Sequence, residues 1–219
     1  MRPQQTFGPD ARGSAPARED VILVDDYDTP LGIAEKLHVH HTGQLHRAVS
    51  VFLFDPRGSM WLQRRALHKY HTPGLWTNAC CTHPRPGERP IDAARRRVAE
   101  ELGVECPDLQ AAFRLLYRAS LDHGMIEHEY DHVFSGLLNT KPIPNPAEVA
   151  AVRCVSPAQL RRCANASRMV HTLVPHCARA HAARARNAEQ PAAGAVCPDD
   201  HSQAGGVVGR GLSIGKLSD

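Results

Sequence analysis

The sequence lacks both a long apolar run and a concentrated block of charge. Its 219 residues carry 26 Lys and Arg against 23 Asp and Glu, which gives a net charge of only +3. A membrane helix needs about 18 or more consecutive apolar residues, and a nucleic-acid surface is typically a dense stripe of Lys and Arg. The sequence therefore predicts no membrane segment and no nucleic-acid partner.

Signs of secretion are also missing. The seven cysteines are odd in number and follow no regular spacing, and no apolar stretch follows the basic residue near the start. Secreted disulfide frameworks usually show both an even number of cysteines and a leader. We predict a cytoplasmic protein with free thiols.

Aromatic residues stop early, because no Phe, Tyr or Trp follows Phe134. Residues 1–19 are rich in Pro, Gly and Arg, and residues 187–219 are rich in Gly, Ala and Ser. Segments of this kind bury too little apolar surface to offset the entropy of ordering. The sequence predicts a disordered arm at 1–19, one folded domain at 20–186, and a disordered tail at 187–219.

The most informative stretch is residues 75–88, which read L-W-T-N-A-C-C-T-H-P-R-P-G-E. Side chains two apart in a strand share a face. Cys81 and His83 should therefore point to one side, and Cys80 to the other. This pattern predicts that Cys81 faces a site while Cys80 is packed.

Histidines cluster in residues 35–46, on both sides of Gly43. A glycine there allows the backbone to turn so that His40 and His46 can meet. Exposed loop histidines are often only solvated, and that alternative stays open here. His38 and His41 are the two we expect to be solvated.

Residues 90–102 have the clearest helical pattern, with apolar residues recurring at a 3.6-residue period. Pro90 suits the first helical position and Gly103 the C-cap. Arg97 and Glu101 lie four apart on the flank of the apolar stripe, and simple surface pairing is the alternative to a functional role.

Strands are predicted elsewhere, and the strand at residues 125–138 carries two acids. Glu127 and Glu129 are two apart and so share a face. Adjacent carboxylates stay ionised only when a cation or strong donors compensate them. The pair indicates a site if this face is buried. The other predicted strands are an edge strand at 21–24 and strands at 48–54, 60–63, 113–119 and 147–155.

Four segments together resemble the type I isopentenyl-diphosphate isomerases of the Nudix superfamily. They are H40-x5-H46, L-W-T-N-A-C-C-T-H-P, R-R-R-V-A-E-E-L-G-V and E127-H-E129. Their order and spacing are kept over roughly residues 20–160, which makes the match specific. The resemblance implies an α/β (α+β) fold, a Nudix-like compact domain with a mixed central sheet flanked by helices. It makes residues 20–186 a Nudix-type isomerase domain.

The activity implied by the resemblance is the interconversion of isopentenyl and dimethylallyl diphosphate in isoprenoid biosynthesis. The reaction moves a double bond through a carbocation, so an acid and a base must flank the hydrocarbon. Cys81 and Glu129 match the family's catalytic residues, and Tyr117 matches the tyrosine that assists. Cys81 should have a tuned thiol pKa, because a thiolate is the reactive form of cysteine.

The resemblance also implies two divalent metals and an anion site. One metal is Mg²⁺ on the diphosphate, held through Glu101. The second, Mn²⁺, Mg²⁺ or Zn²⁺, would be held by His40, His46, His83, Glu127 and Glu129, with His40 preferred over His41. The diphosphate-binding cations would be Lys36, Arg65, Lys69 and Arg97. The expected partner is a small diphosphate substrate, and the expected state is a monomer or weak homodimer.

Two other functions are alternatives. A Nudix hydrolase of nucleoside diphosphate derivatives would need the motif G-x5-E-x7-R-E-U-x-E-E-x-G-U, in which U is a bulky aliphatic residue. Thr82 replaces its first glycine and Arg97 its first glutamate after the arginine, and an arginine can neither ligate metal nor act as a carboxylate base. A non-catalytic metal-binding module with this fold is the other alternative.

The chain departs from the resembled family near its C-terminus. Members carry a tryptophan there whose ring can face the carbocation, an interaction worth about 0.5–2 kcal/mol. The corresponding residue here is His176, in a Pro175-His176 dipeptide. We predict a slow isomerase that loses further rate as His176 becomes protonated.

Overall fold

The computed structural model describes residues 19–69 and 72–160, together with the backbone of residues 213–215. The elements are β1 (Asp20–Val24), β2 (Pro30–Glu35), α1 (Lys36–Thr42), β3 (His46–Phe54), β4 (Met60–Arg65), β5 (Trp76–Thr77), β6 (Cys80–Thr82), α2 (Pro90–Leu102), β7 (Gln110–Ser120), a 3₁₀ turn (Asp122–Gly124), β8 (Ile126–Leu137), β9 (Val149–Val155) and β10 (Ser213–Gly215).

The strands form one mixed sheet built around β3. Its main path runs β10-β7-β8-β3-β1-β2, and β4 and β6 also pair with β3. The pair β3–β8 is parallel over its whole length, whereas β6 runs antiparallel to β3 on the other side. The mixed sheet and its helices confirm the predicted fold class.

The two faces of β3 serve different cores. Val49, Val51 and Leu53 belong to a cluster that includes the buried side of α2. Phe52 belongs to the second cluster, with Tyr117 of β7 and Val133 of β8. Side chains alternate along a strand, so His46 and Ser50 share the face of Phe52, away from α2.

Helix α2 has the bounds predicted from the sequence. Pro90 occupies its first turn, and the C-cap Gly103 has φ 63° and donates its N–H to Ala99 O. Its buried stripe includes Ala94, Val98 and Leu102. This packing fixes the direction of the adjoining flank, which carries Arg97 and the buried Glu101.

Two expectations near the N-terminal end of the domain are wrong. The histidine segment is helical, because Glu35 accepts hydrogen bonds from Leu37 N and His38 N and Gly43 ends the helix with φ 66°. Residues 21–24 are not at the sheet edge, because β2 pairs with β1 and covers it. The sequence gives no sign of β2, since four of its six residues are exposed, none is buried, and no alternation is visible.

Several predictions fall outside the described residues. They are residues 1–18 of the disordered arm, the role of His176, and all of the predicted tail except residues 213–215, whose backbone pairs with β7. The division into an arm, a domain at 20–186 and a tail therefore stays a prediction. Among the helices of the described segments, none has the length and apolar character that crossing a membrane requires.

Candidate active site

Three imidazoles and one carboxylate converge beside the start of β3. His40 comes from α1, His46 begins β3, His83 follows β6, and Glu129 lies on β8. One nitrogen or oxygen atom from each lies within 4.8 Å of the others. His41, the neighbour of His40, is exposed and takes no part. We call these four residues the histidine group.

Strand register and helix capping position the histidine group. His46 and Glu129 are direct partners in the parallel β3–β8 pair, so both side chains leave the sheet on one face. The short helix α1 is held at both ends by Glu35 and Gly43, which leaves His40 on its buried side. Residues distant in sequence therefore meet through tertiary pairing.

Ring orientation leaves the outer nitrogens available as ligands. His40 Nδ1 lies 2.8 Å from Lys36 O, and His46 Nδ1 lies 2.9 Å from Gln44 O. An imidazole that donates Nδ1–H to a carbonyl presents the lone pair of Nε2. His46 Nε2 is 3.2 Å from His83 Nε2, which is 3.3 Å from Glu129 Oε1. Nitrogen and oxygen lone pairs that converge this closely form a ligand set that fits a divalent cation.

Protonation states in the histidine group favour metal binding. Burial lowers the pKa of His83 to about 3 and also lowers the pKa of His40, so both rings are neutral. Burial opposes ionisation of Glu129, but the neighbouring imidazoles of His46 and His83 outweigh it and hold the pKa of this carboxyl well below its usual value. Neutral imidazole and ionised carboxylate are the ligating forms.

Tyr117 joins the two acids of β8. Its hydroxyl lies 2.6 Å from Glu129 Oε2 and 3.2 Å from Glu127 Oε2, and all three side chains are buried. Burial and the two carboxylates raise the pKa of Tyr117, so the hydroxyl keeps its proton and donates it. The predicted shared face of Glu127 and Glu129 is confirmed, although Glu127 stands beside the four converging residues rather than among them.

The adjacent cysteines face opposite sides of β6, as the strand pattern predicted. Cys80 is buried in the core cluster with α2. Cys81 pairs with Ser50 of β3, and its sulfur lies 3.3 Å from Asn78 Oδ1 and 3.5 Å from Ser50 Oγ. Burial raises the pKa of Cys81, so its resting form is the thiol.

Asp131 extends the acidic row of β8 and was missed by the sequence analysis. It follows Glu129 by two residues and is fully buried. Burial and the nearby charge of Glu129 raise its pKa well above the usual value. The detectable signal was a third acid at the same period, Glu127, Glu129 and Asp131.

A second polar cluster surrounds Glu101 of α2. This carboxylate is buried, accepts a hydrogen bond from Gln63 Nε2 at 2.8 Å, and makes a short contact with Arg97. Burial raises the pKa of Glu101, although Arg97 and Gln63 act in the opposite direction. Gln63 was also missed, and its only sequence signal is an amide within the apolar run of β4.

The four predicted diphosphate-binding cations do not form one group. Lys36 lies beside the histidine group, where its Nζ is 2.7 Å from Glu19 Oε2. Arg65 ends β4. Lys69 and Arg97 are brought together by Glu148. This residue ends the connector between β8 and β9, residues 138–148. The sequence analysis placed it in the strand predicted at 147–155 and assigned it no role.

Comparison with known proteins finds a matching family model and several curated relatives. A family model described as NUDIX domain matches residues 44–173. The chain is 52% identical to a protein named Isopentenyl-diphosphate Delta-isomerase 2 from Aromatoleum aromaticum, over 59% of this chain and 68% of the relative. It is 46% identical to a protein of the same name from Photorhabdus laumondii, over 71% of this chain and 87% of the relative.

A solved structure supports the fold. The crystal structure of DR0079 from Deinococcus radiodurans matches with a TM-score of 0.58 and 24% identity, covering 74% of this chain and 98% of that one. At this identity the likeness concerns the fold, which agrees with the mixed sheet and its flanking helices.

Proposed function

This chain belongs to the NUDIX domain family and, within it, to the type I isopentenyl-diphosphate Delta-isomerases, and from this we propose that it interconverts isopentenyl and dimethylallyl diphosphate. The relatives confirm the resemblance drawn from the sequence motifs. The chain is an isomerase, and its substrate is a small diphosphate.

The observation that carries the proposal is the placement of Cys81 and Glu129. They lie on strands on either side of β3, and their side chains leave the same face of the sheet. Moving a double bond requires a proton to be delivered at one end of an allylic system and another to be removed at the far end. A thiol and a carboxylate that border one face supply the two proton-transfer groups.

Tyr117 and the histidine group support Glu129 in this role. The buried hydroxyl of Tyr117 donates to one oxygen of Glu129, while His83 Nε2 lies 3.3 Å from the other oxygen. His40, His46, His83 and Glu129, with Glu127 beside them, would hold a divalent ion. When bound, that ion would stabilise the ionised carboxylate next to a second acid.

The diphosphate is assigned to the four predicted cations, which come from separate elements. Lys36, Arg65, Lys69 and Arg97 would bind its oxygens, and Glu101 would hold the Mg²⁺ that accompanies it. Each of Lys36, Lys69 and Arg97 already pairs with a carboxylate. Because cations in such pairs attract an anion only weakly by themselves, we expect diphosphate binding to require Mg²⁺.

Hydrolysis is disfavoured at the same cluster. The position that the hydrolase motif gives to a glutamate is Arg97, and its guanidinium contacts Glu100, Glu101 and Glu148. A cation held in this way cannot be a metal ligand or a carboxylate base.

The decisive experiment incubates the full chain with isopentenyl diphosphate and Mg²⁺, with and without Mn²⁺, and follows dimethylallyl diphosphate by proton NMR. A parallel sample contains a nucleoside diphosphate derivative and is assayed for released phosphate. We expect isomerisation without phosphate release. Phosphate release without isomerisation would favour the hydrolase, and neither product would favour a non-catalytic module.

A further inference from the structure

Glu148 connects two cations that come from separate parts of the chain. Its Oε2 atom accepts from Lys69 Nζ at 2.5 Å and from Arg97 Nη2 at 3.2 Å. Lys69 lies in the loop after β4, and Arg97 lies on α2. All three side chains are only about a quarter exposed, at 23%, 22% and 25% for Lys69, Arg97 and Glu148.

The backbone around Glu148 is tied to both of these elements. Ile143 N donates to Leu102 O at 3.0 Å, and Asn145 N donates to Glu101 O at 2.9 Å, so the connector follows the end of α2. Glu148 O accepts from Ala66 N at 3.0 Å, which joins it to the loop of Lys69. The carboxylate therefore starts from a backbone that is fixed relative to both cations.

We propose that Glu148 is a positioning residue that holds Lys69 against Arg97, so that the two cations meet the diphosphate as a preformed pair. This inference rests on the proposed function, which assigns both cations to the diphosphate. Without a carboxylate between them the two like charges repel each other, and a free lysine side chain loses more rotamer freedom on binding. Glu148 lowers both costs before the substrate arrives.

The donor inventory of the two cations leaves room for the substrate. An ammonium group has three N–H donors and a guanidinium group has five. The contact with Glu148 uses one donor of each. Lys69 can therefore keep this contact while it donates to a phosphate oxygen, which distinguishes positioning from competition.

Glu100 provides a matched control. It also pairs with Arg97, at 2.8 Å, but its second partner is Arg96 rather than Lys69. E100Q and E148Q each remove one negative charge beside Arg97. Both variants share the effect of losing this charge, so it cancels when their pyrophosphate affinities are compared. The remaining difference in affinity reports the contact of Glu148 with Lys69.

The experiment measures the Kd for inorganic pyrophosphate with Mg²⁺ by calorimetry, and kcat and KM for isopentenyl diphosphate. We expect E148Q to raise Kd and KM about fivefold over E100Q, as for a partly exposed ion pair, with kcat within about twofold. E148D, which keeps the charge on a shorter side chain, should bind pyrophosphate more tightly than E148Q. Equal Kd values for E148Q and E100Q would overturn the proposal, and so would tighter binding by E148Q.

A double-mutant cycle with K69M tests whether the effect passes through Lys69. In the K69M background, adding E148Q should raise Kd no further than adding E100Q does. An unchanged fivefold loss in that background would show that Glu148 acts without Lys69 and would contradict the inference. The wild-type isomerase assay tests the proposed function separately, since pyrophosphate binding does not depend on turnover.

Discussion

Cys80 and Cys81 are adjacent in the chain, but their side chains have different tasks. Cys80 has no exposed surface and packs among apolar side chains of the α2 core. Cys81 contacts Ser50 and Asn78, which are polar residues on the opposite face. A neutral buried thiol behaves as a small apolar group in the first setting. In the second it has hydrogen-bonding neighbours that orient its proton.

Substitution of each cysteine by alanine should separate these tasks. We expect C81A to lower isomerase turnover at least about a hundredfold, the usual contribution of a proton-transfer group, with little change in stability. C80A should keep turnover but lose about 1 kcal/mol of unfolding free energy, as for a small deletion in a core. Turnover assays and urea unfolding of both proteins check this, and an inactive C80A beside an active C81A would reverse the assignment.

At the level of elements, the end of α2 controls where the connector after β8 runs. Gly103 has φ 63°, and a Cβ added there would lie 2.4 Å from Ile143 O. Gly87 has a similar backbone, with φ 81°, but nothing lies within 4 Å of its added Cβ. The two glycines therefore share the backbone requirement and differ only in the close approach.

Alanine should lower the unfolding free energy by different amounts at Gly87 and Gly103. G87A should lower the unfolding free energy by about 1 kcal/mol, the usual cost of a left-handed alanine. G103A should lower the unfolding free energy by at least about 1 kcal/mol more than G87A, because Ile143 must move. Its pyrophosphate affinity should fall as well, since the displaced connector carries Glu148. Urea unfolding and calorimetry measure both effects, and equal losses in the two variants would contradict this account.

Asp28 ties the β1–β2 turn to the centre of the sheet. Its carboxylate contacts Arg47 Nε of β3 at 2.6 Å and His132 Nε2 of β8 at 2.9 Å. Burial opposes its ionisation, but the hydrogen bonds to His132 and Arg47 lower the pKa of Asp28 below the usual 3.8. The turn is thereby held across two strands.

The sign of the pH effect follows from this lowered pKa. A group with a lowered folded-state pKa stabilises fully above its unfolded value, and this contribution is lost as the pH falls through the folded value. The unfolding free energy of wild type should exceed that of D28N by about 1 kcal/mol near neutral pH. This difference in unfolding free energy should disappear as the pH falls below 3.8, the pKa of the aspartate in the unfolded chain. Urea unfolding of both proteins across this range tests it, and a gap independent of pH would show that the charge is not responsible.

At the level of the whole molecule, the histidine group connects α1, β3, β8 and the residue after β6. A ligand that binds only the folded state stabilises it by about 2.7 kcal/mol at a concentration of 100 Kd. Metal binding at this junction should therefore appear in the thermal stability of the protein as well as in its turnover.

His40 and His41 provide the matched test of that junction. A chelator should lower the melting temperature and turnover of wild type and of H41A, and added Mn²⁺, Mg²⁺ or Zn²⁺ should restore both. H40A should show a small thermal response to chelator or metal, because it lacks one ligand. Calorimetric melting curves distinguish the outcomes, and identical behaviour of H40A and H41A would remove His40 from the proposed ligand set.

The sequence was sufficient for features that repeat locally. The apolar period of α2, bounded by Pro90 and Gly103, gave its limits, and the alternation of β6 and β8 gave the sides of Cys81 and Glu129. Helix α1 was not predicted, because seven residues are too few for a helical period to be recognised. The partnership of His46 with Glu129 depends on parallel strand register, which forms between distant segments and leaves no local signal.

Arg97 also bears on how this chain could have exchanged chemistries with hydrolases of its family during evolution. Restoring the motif's glutamate by R97E would remove the cation that Glu100, Glu101 and Glu148 share. Four carboxylates would then crowd one partly buried site, and some would have to take up protons. The two chemistries are thus separated by a destabilised intermediate, which a single substitution cannot cross without a compensating change nearby.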